Sequence, residues 1–406
     1  MSTNDVPGDF TSENENTVDL NRLIKPTDVP FQWIVDQLDG KNERWNRLRQ
    51  TSAISKVDFK LVSGAGFLSH VSRILIFFDG DAKPFSAFLK VPTTSKFVLI
   101  TQGQSNGFED QMSKGLILYH NQEIKFYDLI ARHCPHFYLP KMYAFELSDP
   151  LSQRHGRVLF EDVADRGVMA NVTEGLTIEQ TLNTIEQVAK LHAFTRWMPN
   201  SEEVFKQMEE VHKLDMTDRE LSLMERLQQL NVDFFKEHKA KYQQLFDRFH
   251  LQVADPHKKF DVRGVISQGD LWVNNVLFCP DANGEPTNKL FTIIDYQCSY
   301  ISHGMNDLAR LILVSCSADL IRNNTELFLR HYYDTFSREL QAHGQEVGYD
   351  FEKMKEMYDS ASSHEYIFAV SMFSMIAQPL KEGELRESLI QRLIAGYEQC
   401  NGDWKN

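Results

Sequence analysis

The alternation of apolar and polar residues predicts strands in the first half of the chain. In PFSAFLKVP (84–92) the two kinds of residue alternate with period two, as they do in a strand. Two more strand-like runs lie within 56–78, and 141–147 and 156–163 are further candidates. Between them, the apolar residues of 115–133 recur every three or four positions, which predicts one long helix.

The second half has a different pattern. A short capped helix at 26–40 precedes the strands, but from about residue 168 onward the chain is mostly helical and rich in Leu, Glu, Lys and Gln. The exception is 263–300, where short β-like runs are joined by a hairpin connection at 281–288. This order predicts an α+β protein of two lobes, β-rich and then helical, with a cleft between them.

Length and charge narrow the classes of protein that fit. The 406 residues need more than one core, and we predict a disordered acidic tail over 1–25, an N-terminal lobe over 26–160 and a C-terminal lobe over 161–406. With 43 basic against 57 acidic residues, the net charge of −14 argues against nucleic acid or an anionic membrane as the main partner. No apolar run is long enough to be inserted in a membrane.

The cysteines and the amino terminus bear on the compartment. The five cysteines are scattered and form no CxxC pair, as expected for reduced thiols. The amino terminus lacks the positive charge of a targeting segment. We therefore expect a cytoplasmic protein. The sequence pattern does not indicate its oligomeric state.

A glycine loop, SGAGFLSH, joins the two strands predicted within 56–78. It contains Gly64 and Gly66, with Ser69 where a third glycine would stand in a dinucleotide motif. On its own the loop is a weak signal, because turns between strands need glycine anyway. Dinucleotide and Walker loops, however, run from a strand into a helix, whereas this loop joins two strands and a lysine lies on the next strand. That order is typical of the loop that covers ATP phosphates in protein-kinase-like enzymes.

The lysine after the loop, Lys90, lies in an otherwise apolar strand. Glu123 projects beside the apolar stripe of the helix at 115–133. An unpaired charge near a core is costly for either residue. We therefore predict that Lys90 pairs with Glu123 and can hold phosphate oxygens; two separate surface charges are the alternative.

Polar residues interrupt two later apolar runs, QGDLWVNN and FTIIDYQ. Asp270 and Asn275 stand five positions apart, and Asp295 ends the second run. Phosphoryl transfer from ATP needs a group that orients the attacking hydroxyl and accepts its proton, together with oxygen ligands for magnesium. Each residue alone would more often be a loop cap. All three in this order, after the glycine loop and the lysine, predict a site for ATP and Mg²⁺.

With these residues, the chain resembles the choline kinase-like and aminoglycoside phosphotransferase branch of the protein-kinase-like fold. More narrowly, it resembles the ecdysteroid kinase-like group of small-molecule kinases. Members commonly show H-G-D-L-W-x-x-N, I-D-F-Q and H-N-x-E-x-x-F-Y; here these read QGDLWVNN, IDYQ and HNQEIKFY, and the likeness covers about residues 50–400. The resemblance implies transfer of the γ-phosphate of ATP to a small-molecule hydroxyl.

The resemblance also implies roles for individual residues. Asp270 would be the catalytic base, and Asn275 and Asp295 would bind the metal. The nucleotide-binding residues that it implies are Gly64, Gly66, Ser69, Lys90, Glu123, Glu161 and Val163, of which the last two would use backbone groups of the hinge between the lobes.

Two neighbouring residues bear on how the base is held. Gln268 stands where relatives usually have His, and a glutamine can donate a hydrogen bond but has no ring to pack. Asp307, in HGMNDLARL, matches an aspartate that braces the catalytic loop in this fold; capping of its own helix is the alternative.

Other functions explain less of the sequence. A nucleotide-binding pseudokinase has only Gln268 in its support, and a metal-dependent hydrolase leaves the glycine loop unexplained. The HCPH stretch (133–136) has no second pair at zinc-ligand spacing. The acceptor is expected between the catalytic loop and the helices of 305–400, whose apolar and aromatic residues are more often core than pocket lining. Few clustered acids occur there, so a steroid or another lipophilic alcohol fits better than an aminoglycoside.

Overall fold

The structure is a computed structural model of the 406-residue chain. The residues that it describes are 18–62, 68–80, 83–93, 106–134, 137–149, 151–152, 154–208, 227–228, 230, 232–247, 256–377 and 380–400. Gly64, Gly66 and the Pro–His end of the HCPH stretch lie outside these residues.

The N-terminal part is a five-stranded antiparallel sheet with strand order β1-β2-β3-β5-β4. Its strands are β1 (Ile54–Leu61), β2 (Ser69–Phe78), β3 (Phe85–Pro92), β4 (Met142–Glu146) and β5 (Arg157–Glu161). The helices of this part are α1 (Phe31–Leu38), α2 (Glu43–Thr51) and the long α3 (Asn106–His133).

The C-terminal part is mainly helical. Its short strands are β6 (Val168–Met169), β7 (Val265–Ser267), β8 (Val276–Pro280), β9 (Pro286–Ile293) and β10 (Tyr300–Ser302), which form one three-stranded sheet, β6-β8-β9, and one pair, β7 with β10. Its helices are α4 (Ile178–Trp197), α5 (Ser201–Met208), α6 (Asp233–Glu237), α7 (Lys239–Asp247), α8 (Pro256–Lys259), α9 (Met305–Ser315), α10 (Ala318–Ala342), α11 (Phe351–Ala377) and α12 (Glu384–Cys400).

Two hydrophobic cores correspond to the two parts. In the first, Trp45 of α2 packs edge-on against Phe78 and Phe85 of the sheet, with ring centroids 5.4 and 5.2 Å apart. The second lies among the C-terminal helices and also receives residues of α3, where Phe126 stacks on Tyr296 at 3.7 Å. The predicted α+β class is confirmed, as a bilobal protein-kinase-like fold in which one long helix bridges the sheet and the helical part.

Some element bounds differ from those predicted. Within the range 26–40, where one helix was predicted, the structure has only α1, and a second helix, α2, follows it. The helix predicted at 115–133 is α3, which begins nine residues earlier than predicted. Within the predicted tail, residues 18–25 are described, and Ile24 is completely buried against the first core. The division into lobes at 160/161 stays a prediction. Among the described residues, no helix has the length and hydrophobicity needed to cross a membrane.

Candidate active site

Lys90 of β3 lies between two carboxylates. Its Nζ is 2.9 Å from Glu123 Oε1, 2.8 Å from Glu123 Oε2 and 2.7 Å from Asp295 Oδ1. Burial would lower the pKa of Lys90, but the charges of Asp295 and Glu123 outweigh it and hold the pKa above its ordinary value. The predicted pair with Glu123 is present, and Asp295 is a second partner that the sequence pattern did not indicate.

Hydrogen bonds hold helix α3 in place next to the group formed by Lys90, Glu123 and Asp295. Asn121 exchanges two hydrogen bonds with the backbone of Ser148, at 3.0 and 2.8 Å. Gln122 donates from Nε2 to the carbonyl of Ser299 at 3.1 Å, four residues beyond Asp295. The HNQE motif therefore holds Glu123 in place relative to both the segment after β4 and the segment after Asp295.

Gln268 joins the loop that carries Asp270 to the segment that carries Asp295. Its Nε2 donates to the carbonyls of Ile294 at 3.0 Å and Asp295 at 2.6 Å, and its Oε1 accepts from the backbone N–H of Asp270 at 2.7 Å. A histidine has two ring nitrogens and could make at most two of these bonds. Gln268 thus connects the two segments through three hydrogen bonds to backbone atoms.

Asp307, in the first turn of α9, holds the backbone of the same loop. Its Oδ2 accepts from Gln268 N at 2.7 Å and its Oδ1 from Gly269 N at 2.9 Å, while His192 Nε2 lies 3.1 Å from Oδ2. Gly269 has φ +84°, and a Cβ there would overlap the carbonyl oxygen of Cys298. Glycine is therefore required at this position of QGD.

Asp270 is held at both carboxylate oxygens and keeps 28% of its side chain exposed. Oδ1 accepts from Arg310 Nη1 at 2.7 Å, and Oδ2 accepts from Asn275 Nδ2 at 3.2 Å. Desolvation by the surrounding protein raises the pKa of Asp270 to about 6, and the charge of Arg310 acts in the opposite direction. A carboxylate whose pKa is raised in this way is a stronger proton acceptor than an ordinary aspartate.

Sequence reasoning missed Arg310 and its partner Glu365 of α11. Arg310 Nε donates to Glu365 Oε2 at 2.5 Å, and both side chains are buried. Burial would raise the pKa of Glu365, but the guanidinium outweighs it and lowers the pKa to about 2. A signal for Arg310 was its place three residues after Asp307, which puts both side chains on one face of a helix.

Oxygen atoms remain available for a metal ion. Asn275 uses its amide nitrogen on Asp270, and no described residue donates a hydrogen bond to Asn275 Oδ1 or to Asp295 Oδ2. Asp295 also has a left-handed backbone (φ 62°, ψ 68°), which costs on the order of 1–3 kcal/mol and is common at functional sites. These hard oxygen donors fit Mg²⁺, which takes few protein ligands and completes its shell with phosphates and water.

No larger metal centre is present in the described part of the chain. There, no group of three or more His, Cys, Asp and Glu side chains could hold a metal ion. A magnesium ion at Asn275 and Asp295 would therefore depend on the nucleotide for further ligands, as is usual in phosphoryl-transfer sites.

The predicted hinge residues Glu161 and Val163 lie at the end of β5 and two residues beyond it. The carbonyl of Val163 accepts from Arg166 N and Gly167 N, each at 2.9 Å, whereas no described residue accepts a hydrogen bond from Val163 N–H. The side chain of Glu161 is bound by Arg166 at 2.7 Å and Tyr138 at 3.0 Å. The unengaged N–H fits the predicted binding of adenine by hinge backbone groups. Ser69, also predicted, begins β2 and is buried.

We expect Gln268→Met to lower stability and activity together. Methionine fills a similar volume but makes none of the three hydrogen bonds, so that two carbonyls and one N–H near the loop lose a partner. We expect a loss of about 1–3 kcal/mol in the free energy of unfolding in urea. Gln268→His, which can keep part of the brace, should lie between Met and wild type. Equal stability of the Met variant and wild type would show that the brace is unimportant.

The fold and the grouping of Lys90, Glu123, Asp270, Asn275 and Asp295 define a kinase-like chain. The chain belongs to the family described as "Uncharacterized oxidoreductase dhs-27" (DUF1679), whose model matches residues 83–400.

Two curated relatives come from Caenorhabditis elegans. "Uncharacterized oxidoreductase dhs-27" is 24% identical over 325 residues, which are 78% of this chain and 38% of that protein. "Uncharacterized kinase-like protein D1044.1" is 26% identical over 266 residues, which are 63% of this chain and 65% of that protein. The chain thus spans less than two thirds of the length of either relative.

Distant likenesses to solved structures were also found. One is a Plasmodium vivax ethanolamine kinase, with 12% identity, a TM-score of 0.39 and coverage of 90% of this chain and 88% of that chain. Another is a streptomycin–ATP–APH(2")-IIa ternary complex, with 11% identity, a TM-score of 0.37 and coverage of 88% and 98%. Likenesses this distant carry no conclusion about the activity of this chain.

Proposed function

We propose that this chain is an ATP- and magnesium-dependent kinase that transfers the γ-phosphate to a hydroxyl group of a small molecule. The observation that carries this proposal is one continuous hydrogen-bonded network. It runs from Glu123 through Lys90 to Asp295, and from there through Gln268 to Asp270. The network joins a phosphate-binding cation, a metal ligand and a proton acceptor, which are the groups that phosphoryl transfer needs.

Each residue has one part in this proposal. Lys90 holds phosphate oxygens, and Asn275 and Asp295 hold Mg²⁺, which when bound neutralises charge on the phosphates. Asp270 orients the acceptor hydroxyl and accepts its proton. Backbone groups of Val163 hold the adenine, together with those of Glu161, and the glycine loop with Gly64, Gly66 and Ser69 covers the phosphates.

Within this class, we assign the chain to the choline kinase-like and ecdysteroid kinase-like enzymes on its three motifs, and we expect it in the cytoplasm. Among the aromatic residues of 305–400, where the acceptor is expected, Tyr366 and Phe373 are fully buried and belong to the core. Phe368 is only partly buried, but the Arg310 guanidinium covers its ring at 3.8 Å from the centroid.

The charge distribution beside Asp270 favours an uncharged acceptor. An ammonium alcohol is held by a free carboxylate or by aromatic ring faces. Here a carboxylate and an aromatic ring of α11, those of Glu365 and Phe368, are already in contact with Arg310. A steroid or another lipophilic alcohol therefore remains the best candidate.

The oxidoreductase name of one relative does not extend to this chain in our proposal. Every pairing between the named strands is antiparallel, and the single parallel pairing in the described residues is an isolated bridge between Leu176 and Cys316. Dinucleotide-binding oxidoreductase folds use a parallel sheet. The pseudokinase alternative is also weaker, because Gln268 braces the loop.

Thermal unfolding with ATP and MgCl₂, separately and together, tests the nucleotide site. A ligand at about one hundred times its dissociation constant stabilises the folded state by about 2.7 kcal/mol. We expect a clear upward shift in Tm only with both present, because Mg²⁺ needs phosphate ligands here. No shift under any condition would remove the proposed function and leave the fold.

The acceptor class is then tested with ADP formation. Choline and its uncharged isostere 3,3-dimethyl-1-butanol differ in the ammonium charge alone. Together with lipophilic alcohols such as sterols, they form a matched panel. We expect faster ADP formation with the uncharged members, and a preference for choline would contradict this acceptor class.

A further inference from the structure

The side chain of Asp270 is held by a buried arginine that also bonds to a second carboxylate. Arg310 of α9 donates from Nη1 to Asp270 Oδ1 at 2.7 Å and from Nε to Glu365 Oε2 at 2.5 Å. Only 8% of the Arg310 side chain and 3% of the Glu365 side chain are exposed. Asn306 donates from Nδ2 to Glu365 Oε1 at 3.1 Å, so that Glu365 is itself held.

We propose that Arg310 is the positioning residue of the candidate base Asp270, and that Glu365 fixes Arg310 in the orientation this requires. The inference rests on the proposed function, since it assigns Asp270 the role of proton acceptor. It adds to that function two residues that lie outside the three motifs HNQEIKFY, QGDLWVNN and IDYQ.

The first argument is geometric. A base is effective only if one oxygen stays directed at the hydroxyl, and Asp270 could otherwise rotate about its side-chain bonds. Arg310 holds Oδ1 and Asn275 holds Oδ2, which defines the plane of the carboxylate. The guanidinium plane is fixed in turn by Glu365 and by contact with the Phe368 ring at 3.8 Å.

The second argument concerns helix α9, which acts on the loop at two levels. Asp307 binds the backbone N–H groups of Gln268 and Gly269. Arg310, one turn later, binds the side chain of Asp270. The loop backbone just before the candidate base and the side chain of the base are thus held by the same helix, which resists a shift of one relative to the other.

Stability alone does not account for this arrangement. Removing two carboxylates and a guanidinium from water is costly, and apolar replacements of a buried ion pair are often neutral or stabilising. A lysine could bond to both carboxylates only through one freely rotating Nζ, whereas the guanidinium presents its Nε and Nη donors in a fixed fork. A positioning role explains why the expensive arrangement lies next to Asp270.

The test compares Arg310→Met, Arg310→Lys and Glu365→Gln with wild type in steady-state ADP formation, with water and with the alcohol panel as acceptors. We expect Arg310→Met to lose about 100-fold or more in kcat, as misplaced catalytic groups do. The KM for ATP should stay within about threefold of wild type, and the thermal shift with Mg·ATP should be close to that of wild type. Both follow because the loss is in the chemical step. Arg310→Lys should recover part of kcat, and Glu365→Gln should lie between Lys and wild type.

The matched control is Arg322→Met, which removes a surface pair with Glu398 at 2.7 Å and should leave kcat unchanged.

A double variant separates positioning from folding. Arg310→Met with Glu365→Met replaces the buried ion pair by apolar side chains. We expect it to fold and remain as inactive as the single variant; wild-type activity in it would overturn the inference. Wild-type protein that binds Mg·ATP but forms no ADP would instead refute the proposed function, and an active Arg310→Met variant would refute the inference alone.

Discussion

Asp270→Asn is expected to remove phosphoryl transfer and to leave Mg·ATP binding close to that of wild type. The asparagine can still bond to Asn275 and lie beside Arg310, but it cannot accept a proton. Loss of a general base costs about 10²–10⁴-fold in rate. Asp295→Asn, in contrast, replaces a charged oxygen ligand and the partner of Lys90, so that we expect weaker magnesium-dependent binding. Calorimetric titration with Mg·ATP, together with ADP formation, distinguishes the two.

A conservative change far from the site controls for the loss of a carboxylate. Asp233→Asn removes a charge at a side chain that is 86% exposed and forms a surface ion pair with Lys236 at 2.9 Å. Both binding and turnover should match wild type in this variant. If Asp270→Asn and Asp295→Asn lose Mg·ATP binding to the same extent, the division into base and metal ligand is wrong.

Lys90→Met should both destabilise the protein and abolish binding of the nucleotide. The ammonium is shared by Glu123 and Asp295, and without it two buried or half-buried carboxylates face each other with no cation between them. Breaking a buried pair in this way costs about 3–5 kcal/mol. We expect that loss in urea unfolding, together with the disappearance of the thermal shift caused by Mg·ATP.

Two further variants identify the cause of that loss. Lys90→Met with Glu123→Gln removes one of the uncompensated charges and should recover stability without recovering nucleotide binding. Lys190→Met removes a surface pair with Glu186 at 2.6 Å, and the cost should be no more than about 1 kcal/mol. If Lys90→Met is no less stable than Lys190→Met, the three charges do not interact as the geometry indicates.

These predictions depend on contacts between side chains. Some of these contacts could be predicted from the sequence and others could not. The pair of Lys90 and Glu123 was predictable, because a lysine in an apolar strand and a glutamate beside an apolar helix stripe each need a partner. The contact of Lys90 with Asp295 was not predictable. Asp295 lies 205 positions from Lys90, and no local pattern indicates that the two side chains are close in the folded chain. Gln268 could only be recognised as a departure, because its three bonds go to backbone atoms that no side-chain pattern encodes.

The sequence by itself determined the elements and their order. Alternation along 84–92 is realised in β3, the helical spacing of 115–133 is realised in α3, and the polar interruptions at QGDLWVNN and IDYQ mark the site. Local periodicity suffices for this, because the geometry of a strand or helix repeats over a few residues.

Only the tertiary structure decided which charges meet. Arg310 and Glu365 are 55 positions apart on two helices, and their contact depends on how α9 packs against α11. Periodicity shows which face of each helix is apolar, but not which neighbour covers it or at what angle. The surroundings of the candidate base therefore result from packing between elements, where a displacement of about one ångström decides whether a carboxylate is correctly held.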